Sequence, residues 1–239
     1  MIAGGNKMTK KVKSHEITHE EDDTYDLQPR EVKEGFSPTD VQKHWDKRAG
    51  RRDVQAVMSA RHPLENNIEA TELLKKDIFD LLGEYVVDQT VFELGFGVAR
   101  MTGELAKRAK HVSACDLSSV MYSRSKEQLQ DYDNVQLQVG RITDIVPSEA
   151  RYDLVFESIV LLHILNPQEL KETATRMQEL SDRIFIAEHT FEGPDFPISK
   201  FSILRTPEEY EALFAPYQLV KQKTHYCAGD NFTLMLFEK

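Results

Sequence analysis

Cysteine is scarce: only Cys115 and Cys227 occur in 239 residues, with no Cys-x-x-Cys pair. That excludes a disulfide framework, a zinc ribbon and thiol–disulfide exchange, and it fits a reducing, cytoplasmic setting. Long apolar runs are absent as well. The most apolar stretch, Ser158 to Leu165, is far short of the ~20 residues a membrane span needs, and the lysine-rich start has no apolar segment behind it to act as an export signal. The expectation is a soluble, unexported chain with no membrane partner. Positive charge is in deficit, with 30 Lys and Arg against 40 Asp and Glu and a formal net charge of -10, which opposes wholesale attraction to a nucleic-acid backbone. Nucleic acid is therefore not the expected partner. No internal repeat is visible, and Trp45 is the sole tryptophan.

What is present suffices for one α/β domain plus an appendage. Residues 1–36 run from Lys7, Lys10, Lys11 and Lys13 into Glu16, Glu20, Glu21, Asp22, Asp23 and Asp26 with almost nothing to bury. They read as a disordered or loosely docked tail, with a regulatory or substrate-contacting arm as the alternative. The folded domain spans 37–239. It opens at Ser37-Pro38-Thr39-Asp40, a helix N-terminus signature, on a helix carrying Trp45. A second helix is predicted from about Leu64 to Leu82 with the seam Ile68, Leu74, Ile78, Leu81 and Leu82, and residues 37–83 are expected to cover the site.

From Val86 onward, short apolar runs alternate with helical segments, as in a parallel sheet covered by helices. Strands are predicted at Thr90–Leu94, His111–Cys115, Val135–Val139, Asp153–Glu157 and Arg183–Ala187. A helix follows the capping box Asn166-Pro167-Gln168-Glu169, and another opens at Thr206-Pro207-Glu208-Glu209. The last two strands, about Gln218–Tyr226 and Asn231–Phe237, form an antiparallel hairpin through Gly229-Asp230. The expected fold class is α/β, a doubly wound, mostly parallel seven-stranded sheet with a C-terminal antiparallel hairpin and an N-terminal helical cap.

The chemistry concentrates in Val91-Phe92-Glu93-Leu94-Gly95-Phe96-Gly97-Val98-Ala99-Arg100. A strand carrying an acid turns through two glycines into a helix, so a ligand can approach bare backbone there. The sixth position of a dinucleotide fingerprint is Gly or Ala, and here it is Arg100. Glu93, two residues before the first glycine, suits a cationic amine better than a pyrophosphate.

The stretch resembles the first motif, acid-x-Gly-x-Gly-x-Gly, of the class I S-adenosylmethionine-dependent methyltransferases, with Ala99 in place of the third glycine. Asp116 in Cys115-Asp116-Leu117-Ser118, 23 residues after Glu93, matches the family's second acid. The resemblance runs from about Trp45 to the C-terminus and implies S-adenosylmethionine as cofactor, held by Glu93, Gly95 and Gly97, with Asp116 on the ribose hydroxyls and Leu117 and Met121 beside it. It further implies adenine contacts from Gly140, Arg141 and Ile142, where Arg141 stands in the usual acidic position and main chain or Asp144 would serve instead. Arg100 would pair with the methionyl carboxylate, and Trp45 and Arg48 would lie over the cofactor. Glu157, at the end of the fourth strand, is the first choice for a base orienting or deprotonating the acceptor, or a cofactor contact; a carboxylate bound to backbone amides is the alternative. His163 and His189 are the reserves, with a hydrogen-bonded core histidine as the alternative for His163. Glu188-His189 lacks a third ligand of recognisable spacing, so no metal is expected. Thr190 to Leu204 is expected to act as a lid.

The implied activity is N- or O-methylation of a small molecule or short peptide by in-line displacement. The rivals are methylation of a peptide or protein α-amine, a noncatalytic cofactor-binding partner subunit and a nicotinamide oxidoreductase, whose second acid has the same spacing.

Overall fold

A computed structural model describes residues 37–58, 62–190, 201–227 and 230–239. The tail before Ser37, residues 191–200 of the expected lid and Gly229 of the hairpin turn lie outside them. Helix α1 (Pro38–Arg48) starts as its sequence predicts: Ser37 Oγ accepts from the Asp40 amide while the Asp40 carboxylate accepts from the Ser37 amide. Helix α2 (Leu64–Leu82) stops at Gly83, whose φ of 51° ends the helical path. Its buried seam is Ala70, Leu74, Ile78 and Leu82. Ile68 was expected in that seam but is 39% exposed, since it sits about 80° round the helix from Ile78.

The strands are β1 (Thr90–Leu94), β2 (His111–Asp116), β3 (Val135–Val139), β4 (Leu154–Ser158), β5 (Arg183–His189), β6 (Gln218–Cys227) and β7 (Asp230–Glu238). They form one sheet in the order β3-β2-β1-β4-β5-β7-β6, parallel from β3 through β5 and antiparallel where β7 joins β5 and β6. The intervening helices are α3 (Thr102–Ala106), α4 (Ser119–Gln128), α5 (Pro167–Leu180) and α6 (Pro207–Phe214). Side chains alternate across the sheet. Phe92, Val155, Ile184, Ile186 and Phe237 meet Leu170, Met177 and Tyr210 of α5 and α6. Val91, Phe156, Phe185, Ala187 and Leu236 meet Leu74, Ile78 and Leu105 of α2 and α3. Burial on both faces is why these strands are continuous apolar runs rather than alternating ones.

Helix α2 is thus a layer packed on the sheet. Of the segment 37–83 expected to cover the site, α1 and the turn after it do so, while α2 does not. Strand β1 has β2 on one side and β4 on the other, so successive connections leave it in opposite directions and open a crevice at the strand ends. No helix among the described residues is long and apolar enough to cross a membrane.

Candidate active site

The turn after β1 places three alternate residues in the left-handed region: Gly95 at φ 73°, Gly97 at φ 53° and Ala99 at φ 58°. Gly95 N donates to Cys115 O at 2.7 Å and Gly97 N to Asp116 Oδ2 at 2.8 Å, so the turn is tied to the end of β2. A Cβ on Gly95 would lie 2.4 Å from Val160 Cγ2, and one on Gly97 would lie 2.8 Å from Val57 Cγ1. The missing side chains therefore let the turn touch both the loop after β4 and the segment after α1.

These elements line an open cleft of about 970 Å³, a volume that includes solvent space at its mouth. Glu93, Gly95, Gly97 and Arg100 line it from β1, Asp116, Leu117 and Met121 from β2, and Gly140, Arg141 and Ile142 from β3, with Trp45 and His163 completing the expected set. Arg48, Glu157 and His189 do not line it.

Glu93 is 2% exposed and its Oε2 has no hydrogen-bond partner. Burial pushes its carboxyl up to about 7, against the pull of the Thr102 hydroxyl and Arg100. Burial likewise raises Asp116 to about 6, although the Ser118 and Gly97 amides favour its charged form. Arg100 Nη1 meets Met58 Sδ at 3.2 Å and Nη2 meets Ser158 Oγ at 3.5 Å, weak partners for a guanidinium that burial lowers to about 10. The donor set fits S-adenosylmethionine. The bare Glu93 oxygen calls for a cationic donor, Asp116 keeps lone pairs beyond the two its amides use, Arg100 suits a carboxylate, and the glycine cradle admits a ligand to the backbone.

Arg48 serves the cover rather than the cavity. It donates to Ala56 O at 3.1 Å, Gln55 O at 3.3 Å and Met58 O at 2.5 Å, and its guanidinium lies 5.4 Å from the Trp45 ring centre. Arg124 donates to the carbonyls of Ala49 and Arg51, and Ser118 Oγ donates to Asp46 Oδ1 at 2.6 Å. Residues 49–58 form only a short 3-10 turn, Asp53–Ala56, and their free carbonyls take the arginines.

Glu157 also departs from expectation. Alternation along β4 puts it on the face of Val155, beneath α5 and α6, where it is fully buried and its Oε2 accepts from Val160 N at 3.0 Å. Glu157 is thus a carboxyl group bound through one oxygen to a backbone amide and turned away from the cavity. His189 lies on the opposite face, its ring centre 4.0 Å from that of Phe232. His163 is the candidate that reaches the cavity. Its Nδ1 lies 2.7 Å from Phe201 O, and its ring meets Trp45 edge-on at 4.7 Å. A carbonyl only accepts, so Nδ1 carries the proton and Nε2 the lone pair. Burial lowers His163 to about 3, and His44, Arg48 and His189 push the same way against the Phe201 carbonyl.

Arg141 is held by Asp144 at 2.7 Å and by Glu169 at 3.6 Å, so Asp144, a candidate for adenine, is engaged by its neighbour. Glu169 and Thr173 of α5 line the cavity and were not anticipated. Glu169 was read as the closing half of a capping box; instead Asn166 caps α5 alone, and the Glu169 carboxylate turns to Arg141. Nothing in the sequence marks Val57 or Thr173.

Residues 91–182 match the family model described as a methyltransferase domain. Phosphoethanolamine N-methyltransferase 1 of Zea mays is 25% identical over 199 residues, which cover 81% of this chain but 38% of that protein. This chain therefore spans well under half of that relative's length. The N-methyltransferase NodS from Bradyrhizobium japonicum WM9, solved with S-adenosyl-l-homocysteine, superposes with a TM-score of 0.66 at 13% identity, over 83% of this chain and 98% of that one. Phosphoethanolamine N-methyltransferase 1 of Haemonchus contortus, solved with phosphoethanolamine and S-adenosylhomocysteine, gives 0.64 at 16% identity, over 85% of this chain and 50% of that one. The chain thus carries a methyltransferase-domain match over residues 91–182, and its strand order and the glycine turn tied to Asp116 are those of the class I, Rossmann-like fold of S-adenosylmethionine-dependent methyltransferases.

Proposed function

We propose that the chain methylates a nitrogen atom of a small molecule. The observation that carries this reading is His163, a neutral imidazole in the wall of the cavity whose Nδ1–H is committed to Phe201 O. Bound S-adenosylmethionine supplies a methyl group on a positively charged sulfur, open to in-line attack by a lone pair. The protein's share is to position that lone pair and exclude water. His163 Nε2 accepts a hydrogen bond from an N–H of the acceptor and so aims the nitrogen's lone pair. With its own affinity for protons lowered to about 3, His163 orients the acceptor and does not store its proton. Glu93 holds the ligand's amino group, Asp116 its hydroxyls and Arg100 its carboxylate. Trp45, Val57 and Phe96 supply an apolar cover over the turn. Support for nitrogen as the acceptor atom comes from the relatives, since the Zea mays and Haemonchus contortus proteins are named for N-methylation of phosphoethanolamine.

The test is transfer of labelled methyl from S-adenosylmethionine to a panel of phosphoethanolamine, ethanolamine, a phenol, a carboxylic acid and a peptide with a free N-terminus. Label on a small amine is the expected result. Label on oxygen alone, or on the peptide alone, overturns the reading. S-adenosylhomocysteine binding without turnover of any acceptor would favour a noncatalytic partner subunit.

A further inference from the structure

The wall contributed by residues 158–164 has one short turn, Leu161–His163, and near its start Ile159, a β-branched residue, sits at φ 64°. A backbone of that kind costs about 1–3 kcal/mol and persists only where its surroundings over-determine it. Here the determinants lie behind the wall. Glu188, fully buried, accepts through Oε1 from Val160 N at 2.9 Å and Leu161 N at 2.7 Å. Its Oε2 accepts from Leu162 N at 3.3 Å and from the Tyr210 hydroxyl at 3.2 Å. Arg205, 8% exposed, donates through Nη1 to Leu161 O and through Nη2 to Ile164 O, both at 2.9 Å. An anion holds the amides of the turn and a cation holds its carbonyls. Neither residue lines the cavity.

We propose that Glu188 and Arg205 are positioning residues that together lock residues 159–164 in the shape presenting Val160 and His163 to the ligand cavity. The consequence for turnover rests on the reading of His163 given above. Glu157 completes the clamp. Its Oε1 is buried and faces no donor, and its carboxyl is raised well above the usual range by burial and by Glu188 beside it. Burial raises the Glu188 carboxyl as well, but its bond with Glu157, the charge of Arg205 and the Val160 and Leu161 amides all favour its charged form, so a proton shared by the two acids belongs on Glu157. Val160 carries the effect to the glycine turn, because its Cγ2 occupies the space a Cβ on Gly95 would need.

Two readouts need no acceptor. Trp45 is the sole tryptophan and its ring touches His163, so its emission reports the placement of that imidazole. The amides of Val160, Leu161 and Leu162, bonded to a buried carboxylate, should exchange with solvent as slowly as those of β4 in the unmodified protein. The variants are Glu188→Gln and Arg205→Lys, with Leu180→Ala in α5 as a control that loses stability away from the turn. Both clamp variants should shift Trp45 emission and lower kcat at least tenfold, with the Kd of S-adenosylhomocysteine changed less than threefold. Leu180→Ala should change neither emission nor kcat while folded. Fast exchange of the three amides, or clamp variants with unaltered emission and kcat, would overturn the proposal. Should a clamp variant fail to fold, amide exchange in the unmodified protein still decides. His163→Asn separates the two ideas: full turnover in that variant removes the role given to His163, while emission and exchange continue to judge the clamp.

Discussion

Gly95→Ala isolates the close approach on which the cavity depends. The substitution asks an L-residue to hold φ 73° and puts a methyl carbon 2.4 Å from Val160 Cγ2, where ordinary contact needs about an ångström more. The left-handed backbone costs about 1–2 kcal/mol. Overpacking against a wall that Glu188 and Arg205 prevent from retreating adds about 1–3 kcal/mol. The expected loss is about 2–5 kcal/mol, a large part of the roughly 5–15 kcal/mol that stabilises a domain. Urea unfolding followed by circular dichroism measures it. Val160→Ala removes both Cγ atoms, so the double variant should lose only the backbone cost plus the missing methyl contacts. The cycle should then show a favourable coupling of about 1–3 kcal/mol. S-adenosylhomocysteine affinity should fall in Gly95→Ala and recover in part when Val160→Ala is added. A loss below about 1 kcal/mol, or strictly additive effects, would refute the steric reasoning.

Glu93→Gln tests the buried acid. A folded pKa near 7 against the usual 4.5 means that the native state binds the extra proton, so stability falls as pH rises from about 4.5 to 7. The variant should unfold about 1–3 kcal/mol later than the parent at pH 8 and at a similar denaturant concentration at pH 4; an equal gap at both would remove burial as the cause. For His163→Asn, kcat should fall roughly 10-fold or more with little change in S-adenosylhomocysteine affinity. In the parent, the pH–rate profile should follow the acceptor amine, with no limb near 6.5 from His163, because its imidazole is neutral well below that pH. Arg48→Ala should release the carbonyls of Gln55, Ala56 and Met58, seen as faster amide exchange across 53–58 and a raised Kd for S-adenosylhomocysteine. Asp116→Ala should weaken that binding by about 1–3 kcal/mol, whereas Arg141→Ala, breaking exposed ion pairs, should cost less than about 1 kcal/mol.

The strands and their order of appearance were readable from local pattern because β1, β4 and β5 are buried on both faces and so spell continuous apolar runs between turn residues. Caps at Ser37 and Thr206 were readable because each is satisfied by atoms within three residues, and the turn at Gly95 and Gly97 because its left-handed backbone restricts which residues can stand there. Glu157 shows where that stops. The end of a strand can be located from sequence, but the face on which a side chain leaves it depends on the parity of the whole strand against layers contributed by α5 and α6. Arg48 and Glu169 carry the same lesson. A long charged side chain goes to whichever backbone carbonyls or opposite charges tertiary packing leaves bare, and residues 55–58 and Arg141 are brought to them by folds of the chain that no local spacing encodes. His163 owes its tautomer to the carbonyl of Phe201, 38 residues away in sequence, and its neutral state to burial. Local patterning, then, specified the elements and the ligand-facing turn, whose caps and left-handed backbone are properties of a few consecutive residues. That His163 rather than Glu157 stands in the cavity wall came from packing, because burial, partner and facing direction are properties of side chains brought together from distant parts of the chain.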